Sequence, residues 1–212
     1  MIKVRLCSIT NYQDAAMAVK LGVDAVGFIF APSQRRIEPE KARAIISLLP
    51  PFLHTVGVFV NEAPAVIRRI VEYCGIDLVQ LHGNETPDTC VELMPRSIKA
   101  FQIRDESSLQ SAESYSKKVR AFLFDAYSKE KRGGTGNTFD WDLAIRGKEL
   151  GMPVILSGGL NPSNIESAIA AVRPYAVDVN SGVEEGPGRK NPILLEKLMK
   201  IVSGMDMGGL TS

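Results

Sequence analysis

Short apolar runs rich in Val, Ile and Phe alternate with longer helical patterns, eight times along the chain, and nothing else in the sequence restricts the fold as much. The candidate strands are Lys3–Cys7, Ala25–Phe30, His54–Phe59, Leu78–Leu81, Ile98–Phe101, Ala121–Phe124, Val154–Leu156 and Ala176–Val179. Helical patterns lie between them, near Tyr12–Leu21, Pro39–Leu49, Ala63–Tyr73, Pro87–Leu93, Ser107–Ser116, Trp141–Leu150, Ser163–Val172 and Ile193–Val202. Thr10 or Asn11 suits the first helix cap, Pro39 a first helical turn, and Gly22, Gly75 and Gly151 follow helix ends.

A strand followed each time by a helix implies a parallel sheet with right-handed crossovers. The strands are almost continuously apolar, as parallel strands covered by helices must be. Eight such units close into a (β/α)8 barrel, the TIM-barrel architecture, and 212 residues is near its lower size limit. An open doubly wound sheet would favour a glycine-rich turn after its first strand, where this chain has Cys7-Ser8-Ile9-Thr10. Residues 1–202 are expected to form one catalytic domain. The tail Ser203–Ser212, without apolar periodicity, is expected to fray.

The net charge of +1 gives no field that would draw nucleic acid or an anionic membrane. No apolar run is long enough to span a bilayer, and the N-terminus lacks the layout of a signal peptide. Cys7, Cys74 and Cys90 have unrelated spacings that fit neither a disulfide framework nor a zinc pattern. A reduced, cytoplasmic protein is expected.

Barrel active sites lie at the C-terminal ends of the strands. Ser157-Gly158-Gly159-Leu160-Asn161 follows strand seven and Asn180-Ser181-Gly182 follows strand eight. Glycine turns at these two places let backbone N–H groups approach an anion, which predicts a phosphorylated substrate. Cys7 ends strand one at the barrel mouth, with Arg5 two residues earlier on the same side. That cation and the helix starting near Asn11 are expected to lower the thiol pKa from its usual value of about 8.5. Asp125, ending strand six, either caps the next loop or faces the site. Either Arg35 or Arg36, after strand two, is placed to clamp a substrate carboxylate. The loop 126–138, with Lys129, Lys131, Arg132 and Gly133-Gly134-Thr135-Gly136, reads as a lid or as a solvated basic loop. His54 and His82 are too few to argue for a metal, and His82 reads as a loop residue or a secondary substrate contact.

Several ordered motifs span nearly the whole chain. They are Leu6-Cys7-Ser8-Ile9-Thr10, Gly27-Phe28-Ile29-Phe30-Ala31-Pro32 with Arg36, Gly57-Val58-Phe59-Val60-Asn61, Val79-Gln80-Leu81-His82-Gly83 and Phe124-Asp125. Gly133-Gly134-Thr135-Gly136 before Phe139-Asp140-Trp141, Ser157-Gly158-Gly159-Leu160-Asn161-Pro162 and Val177-Asp178-Val179-Asn180-Ser181-Gly182-Val183-Glu184 complete the set. In order and spacing they resemble the phosphoribosylanthranilate isomerase family of tryptophan biosynthesis. The resemblance implies an Amadori rearrangement of N-(5′-phosphoribosyl)anthranilate. Cys7 would be the general base and Asp125 the general acid. Arg36 would face the anthranilate carboxylate, Asp178 the sugar hydroxyls, and Gly158, Gly159, Ser181 and Gly182 the phosphate. No hydride, phosphoryl group or redox electron moves in that reaction, so it needs no cofactor or metal. The chain would work as a monomer or a homodimer. Three positions depart from the family pattern: Ser8 where glycine is usual, Ser33-Gln34-Arg35 before Arg36, and Asn180 where serine is common. The rivals are another phosphosugar barrel enzyme and a non-catalytic phosphate-binding regulator.

Overall fold

The structure is a computed structural model that describes residues 2–125 and 141–208, so the expected lid lies outside the described residues. Eight parallel strands close into a barrel: β1 (Lys3–Leu6), β2 (Ala25–Ile29), β3 (His54–Phe59), β4 (Leu78–Leu81), β5 (Ser97–Gln102), β6 (Ala121–Asp125), β7 (Val154–Ser157) and β8 (Ala176–Val179). Closure joins β1 to β8 in the register Lys3↔Ala176 to Leu6↔Val179. The helices are α1 (Tyr12–Lys20), α2 (Pro39–Ile46), α3 (Pro64–Cys74), α4 (Pro87–Glu92), α5 (Glu106–Glu113), α6 (Trp141–Gly147), α7 (Ile165–Val172) and α8 (Pro192–Gly208). Between β8 and α8 lies a small hairpin, β9 (Glu184–Gly186) and β10 (Arg189–Lys190).

Local chemistry explains the boundaries. Asn11 caps α1 by accepting from the Asp14 N–H at 2.8 Å, and Gly75 ends α3 in the left-handed conformation. Helix α8 continues past Val202 to Gly208, into the segment expected to fray, because Met205 still packs on the core.

Alternation along the strands divides the core in two. Phe122 and Phe124 of β6 pack outward in the layer between sheet and helices, whereas Ala121 and Leu123 join Ile98, Ala100, Ile155 and Ala176 in a separate inner cluster. Asp125 continues the inner series of β6, as Asp178 does on β8 after Ala176. The inner strand ends therefore carry polar groups where the apolar filling stops.

Two local features cost stability or secure it. Ser8 is fully buried with φ of 65°, a left-handed backbone that L side chains occupy at a cost, and its hydroxyl has no partner at hydrogen-bond geometry. On β5, Lys99 is buried against Glu85 at 3.3 Å and donates to the carbonyls of Leu81, Gly83 and Ala100. Glu85 in turn accepts from the N–H groups of Asn61 and Gly83.

Ser8→Gly is expected to stabilise the protein by about 1 kcal/mol, since relief of strain and of the orphaned hydroxyl exceeds glycine's entropy cost. A lower midpoint in thermal unfolding would contradict this. Glu85→Ala leaves Lys99 buried and uncompensated and should cost about 3–5 kcal/mol in urea unfolding. A loss below about 1 kcal/mol would show that the pair carries no such weight.

Candidate active site

At the C-terminal end of the barrel a cavity of about 590 Å³ is lined by Gln34, Arg35, Asp125, Ser157, Gly158, Gly159, Leu160, Asp178, Asn180, Ser181 and Gly182. It thus gathers Asp125, Asp178, Gly158, Gly159, Ser181 and Gly182 from three separate parts of the sequence. Cys7 and Arg36 are not in its wall.

The glycine turns are built to present N–H groups. Gly158 and Gly159 have φ of 99° and 64°, conformations that favour glycine. The Gly159 carbonyl is tied back by the side-chain amides of Asn161 and Asn164 at 2.9 and 3.1 Å. The N–H groups of Gly158, Gly159, Leu160, Ser181 and Gly182 have no hydrogen-bond acceptor among the described residues. A Cβ on Gly182 would run into the Leu160 carbonyl, so the two turns touch backbone to backbone. Unpaired N–H groups converging on one wall form a nest for an anion.

Arg36, the arginine that the family resemblance assigns to the substrate carboxylate, does not line this cavity. Its guanidinium is 49% exposed and paired with Glu38, whereas Arg35 reaches into the cavity. The selecting residue is Glu184, buried on β9, which accepts from Arg35 Nε at 3.0 Å and from Nη2 at 2.7 Å. Lys190 donates to the same carboxylate at 3.0 Å. Burial opposes ionisation of Glu184, but Arg35 and Lys190 outweigh it and hold the carboxyl below its usual pKa. No periodicity in the sequence distinguishes neighbouring arginines in a turn. Glu184 could mark Arg35 only once the hairpin folds beside it.

The thiol expectation also reverses. Arg5 donates from Nε to Asp178 Oδ1 at 2.7 Å, and its Nη2 lies 3.8 Å from Cys7 Sγ. Burial and the Asp178 charge push the Cys7 thiol up, and together they exceed the opposing pull of Arg5 and Lys190. Gly27 makes room for it, because a Cβ there would sit 2.9 Å from Sγ. Asp178 also accepts from Ser157 Oγ at 3.1 Å, so Arg5 and Ser157 share one carboxylate.

Asp125 is half-buried, with His82 Nε2 3.7 Å from its Oδ2. His82 Nδ1 pairs with the Gln80 amide at 2.7 Å. Burial lowers the His82 pKa despite the neighbouring Asp125 charge, which favours a neutral imidazole. Of the two sequence readings, the histidine therefore sits beside the site rather than in a remote loop. Ser157, Asn180, Gln34 and the Glu184–Lys190 pair were not singled out by the sequence. Ser157 and Glu184 do sit inside the quoted motifs, where their positions gave the available signal.

Comparison with known proteins places this geometry. Residues 4–201 match the family described as N-(5′-phosphoribosyl)anthranilate (PRA) isomerase. A relative of that name from Pelobacter propionicus is 50% identical over 202 residues, covering 95% of each chain. The crystal structure of phosphoribosyl anthranilate isomerase from Thermotoga maritima superposes with a TM-score of 0.89 at 43% identity, covering 96% of this chain and 100% of that one. A structure of such an enzyme in complex with reduced 1-(o-carboxyphenylamino)-1-deoxyribulose 5-phosphate gives a TM-score of 0.87 at 42% identity, with the same coverage. A barrel whose rim joins an anion nest, a carboxyl group and an anchored guanidinium thus coincides with a match along almost all of its length, and the chain belongs to the N-(5′-phosphoribosyl)anthranilate isomerase family.

Proposed function

We propose that this protein converts N-(5′-phosphoribosyl)anthranilate to 1-(2-carboxyphenylamino)-1-deoxyribulose 5-phosphate, an isomerisation of tryptophan biosynthesis. The observation that carries the reading is the single cavity in which unpaired N–H groups, the Asp125 carboxyl and the Arg35 guanidinium meet. The phosphate takes the nest of Gly158, Gly159, Ser181 and Gly182. The anthranilate carboxylate takes Arg36, the arginine that the family motif assigns to it, on the loop that also brings Arg35 to the cavity wall. Holding both ends of the substrate fixes the reacting carbon and converts binding energy into orientation.

Asp125 gives its proton to the furanose ring oxygen, and the C1′–O bond breaks to leave a protonated Schiff base. Cys7, as thiolate, then removes the C2′ proton. The electron pair of that C–H bond moves to neutralise the iminium, giving an enolamine that tautomerises to the ketone. Asp178 serves two ends in this scheme: it meets the sugar hydroxyls and orients Arg5 beside the thiol. Because the resting thiol pKa is raised, only a minor fraction of free enzyme carries the thiolate near neutral pH. The partner is a phosphorylated small molecule, and the chain acts as a monomer or a homodimer. Three free, buried cysteines accord with a reducing compartment, the cytoplasm. Among the described residues no helix is long and apolar enough to cross a membrane.

Turnover of freshly generated substrate, followed by the change in anthranilate fluorescence, tests the reading. Asp125→Asn and Cys7→Ser should each lower kcat by on the order of 10²–10⁴-fold. Arg36→Met should raise KM more than it lowers kcat. Wild-type turnover by both catalytic variants would overturn the assignment. The pH profile is a separate check. Asp125 acts protonated and Cys7 ionised, so kcat/KM should be bell-shaped in pH, with one limb set by the carboxyl group and the other by the thiol. Asp178→Asn should move the thiol limb to lower pH, whatever it does to the height of the profile.

A further inference from the structure

The wall of the cavity holds two carboxyl groups, Asp125 and Asp178, and among the described residues Arg35 is its only basic side chain. Asp178 is already matched by Arg5 at 2.7 Å, within a pair that is almost inaccessible. A phosphate monoester brings a charge of about −1.5 to −2 near neutral pH. Backbone N–H groups offer it good geometry but only partial charges. A full cation within the same wall is what the glycine turns lack.

Arg35 is anchored to the very segment that forms half of the nest. Glu184, two residues after Gly182, accepts from Arg35 Nε at 3.0 Å and from Nη2 at 2.7 Å. That grip leaves Nη1 without an acceptor among the described residues, on a side chain that keeps 24% of its surface accessible. Lys190 donates to the same carboxylate and is wholly inaccessible, so it offsets the Glu184 charge without reaching a ligand. The Arg35 charge therefore stays available to an anion. Arg36, by contrast, lies outside this wall beside Glu38.

We propose that Arg35 is a binding residue for the substrate phosphate: it adds a full positive charge and a free N–H group to a nest otherwise made of backbone. The inference rests on the phosphate reading of the glycine turns given above, and it goes further by assigning a side chain to that end of the substrate. Arg35 falls in the stretch Ser33-Gln34-Arg35, where this chain departs from the family pattern, so the family motif gives it no role. Two neighbouring arginines then serve opposite ends of one molecule. Arginine suits the task because its planar fork can hold Glu184 on one edge and a phosphate oxygen on another. The alternative is a mechanical one, in which Arg35 only bolts the loop after β2 to the hairpin.

Binding of inorganic phosphate to the full chain, measured by calorimetry, separates these cases without reference to turnover. Arg35→Met should weaken phosphate on the order of tenfold, as loss of a charge-assisted hydrogen bond requires. Arg35→Gln places an amide nitrogen where Nε stands, so it keeps a donor for Glu184 while removing the charge. It should lose phosphate to a similar extent, and it decides the matter alone if Arg35→Met does not fold. Arg36→Met should leave phosphate binding within about threefold of wild type. Near-normal phosphate binding by Arg35→Gln beside a loss in Arg35→Met would mark a bolt and overturn the inference. An equal loss in Arg36→Met would also overturn it, since the effect would then belong to the general field of the loop. Unchanged binding in both Arg35 variants would remove the inference and leave the nest standing. Failure of the wild-type chain to bind phosphate would remove the nest reading and this inference with it.

Discussion

Arg5 on β1 stands opposite Asp178 on β8 in the register that closes the barrel, and their 2.7 Å ion pair joins the seam to the chemistry. Both side chains are nearly inaccessible, so neither charge is solvated. Such a pair contributes little net stability compared with apolar packing, but loss of one member leaves the other stranded. Its value here is positional. Arg5 points one nitrogen at Asp178 and another towards Cys7, and Asp178 also holds Ser157 of β7. The strand ends of β1, β7 and β8 are thereby tied to one another across the mouth of the barrel.

That arrangement imposes a compromise on the thiol. The cation that would favour the thiolate is already engaged by a carboxylate, and burial acts in the same direction as that carboxylate. A looser Arg5 would serve Cys7 better and the seam worse. The same logic recurs at Arg35, where the residue that orders a guanidinium also competes for its charge. At both places a third group, Ser157 or Lys190, donates to the same carboxylate. Low dielectric makes each of these terms large, so the site depends on charges being placed in sets rather than singly.

The order of elements was legible in the sequence because burial on both faces gives parallel strands their unbroken apolar runs, and the helices their periodicity. Asp125 was legible as a candidate because it ends an apolar strand, with capping and facing the site both open, and Asp178 only through the family resemblance; alternation puts both on the inner face once the apolar filling of the barrel is recognised. That Arg35 lines the cavity was not legible, because a turn has no alternation and Glu184, which holds it, lies 149 residues away. The direction of the Cys7 shift failed for a related reason. Arg5 was visible as a neighbour two residues off, whereas Asp178 enters only through the register of the closing seam. Near neighbours in sequence reveal attraction. Competition for them comes from contacts distant in the chain.

Glycines at the rim show which departures a barrel of this kind tolerates. Ser8 occupies a left-handed position, yet its side chain is accommodated in the packing, so the cost is confined to backbone strain and one unpaired hydroxyl. Gly27 and Gly182 differ in kind. A Cβ at Gly27 meets the Cys7 sulfur at 2.9 Å, and one at Gly182 meets a main-chain carbonyl that has no rotamer to yield. Strain at one residue is absorbed locally, but a collision between two loops moves both. The rim therefore admits a serine beside Cys7 and demands hydrogen in place of a side chain where the two glycine turns meet.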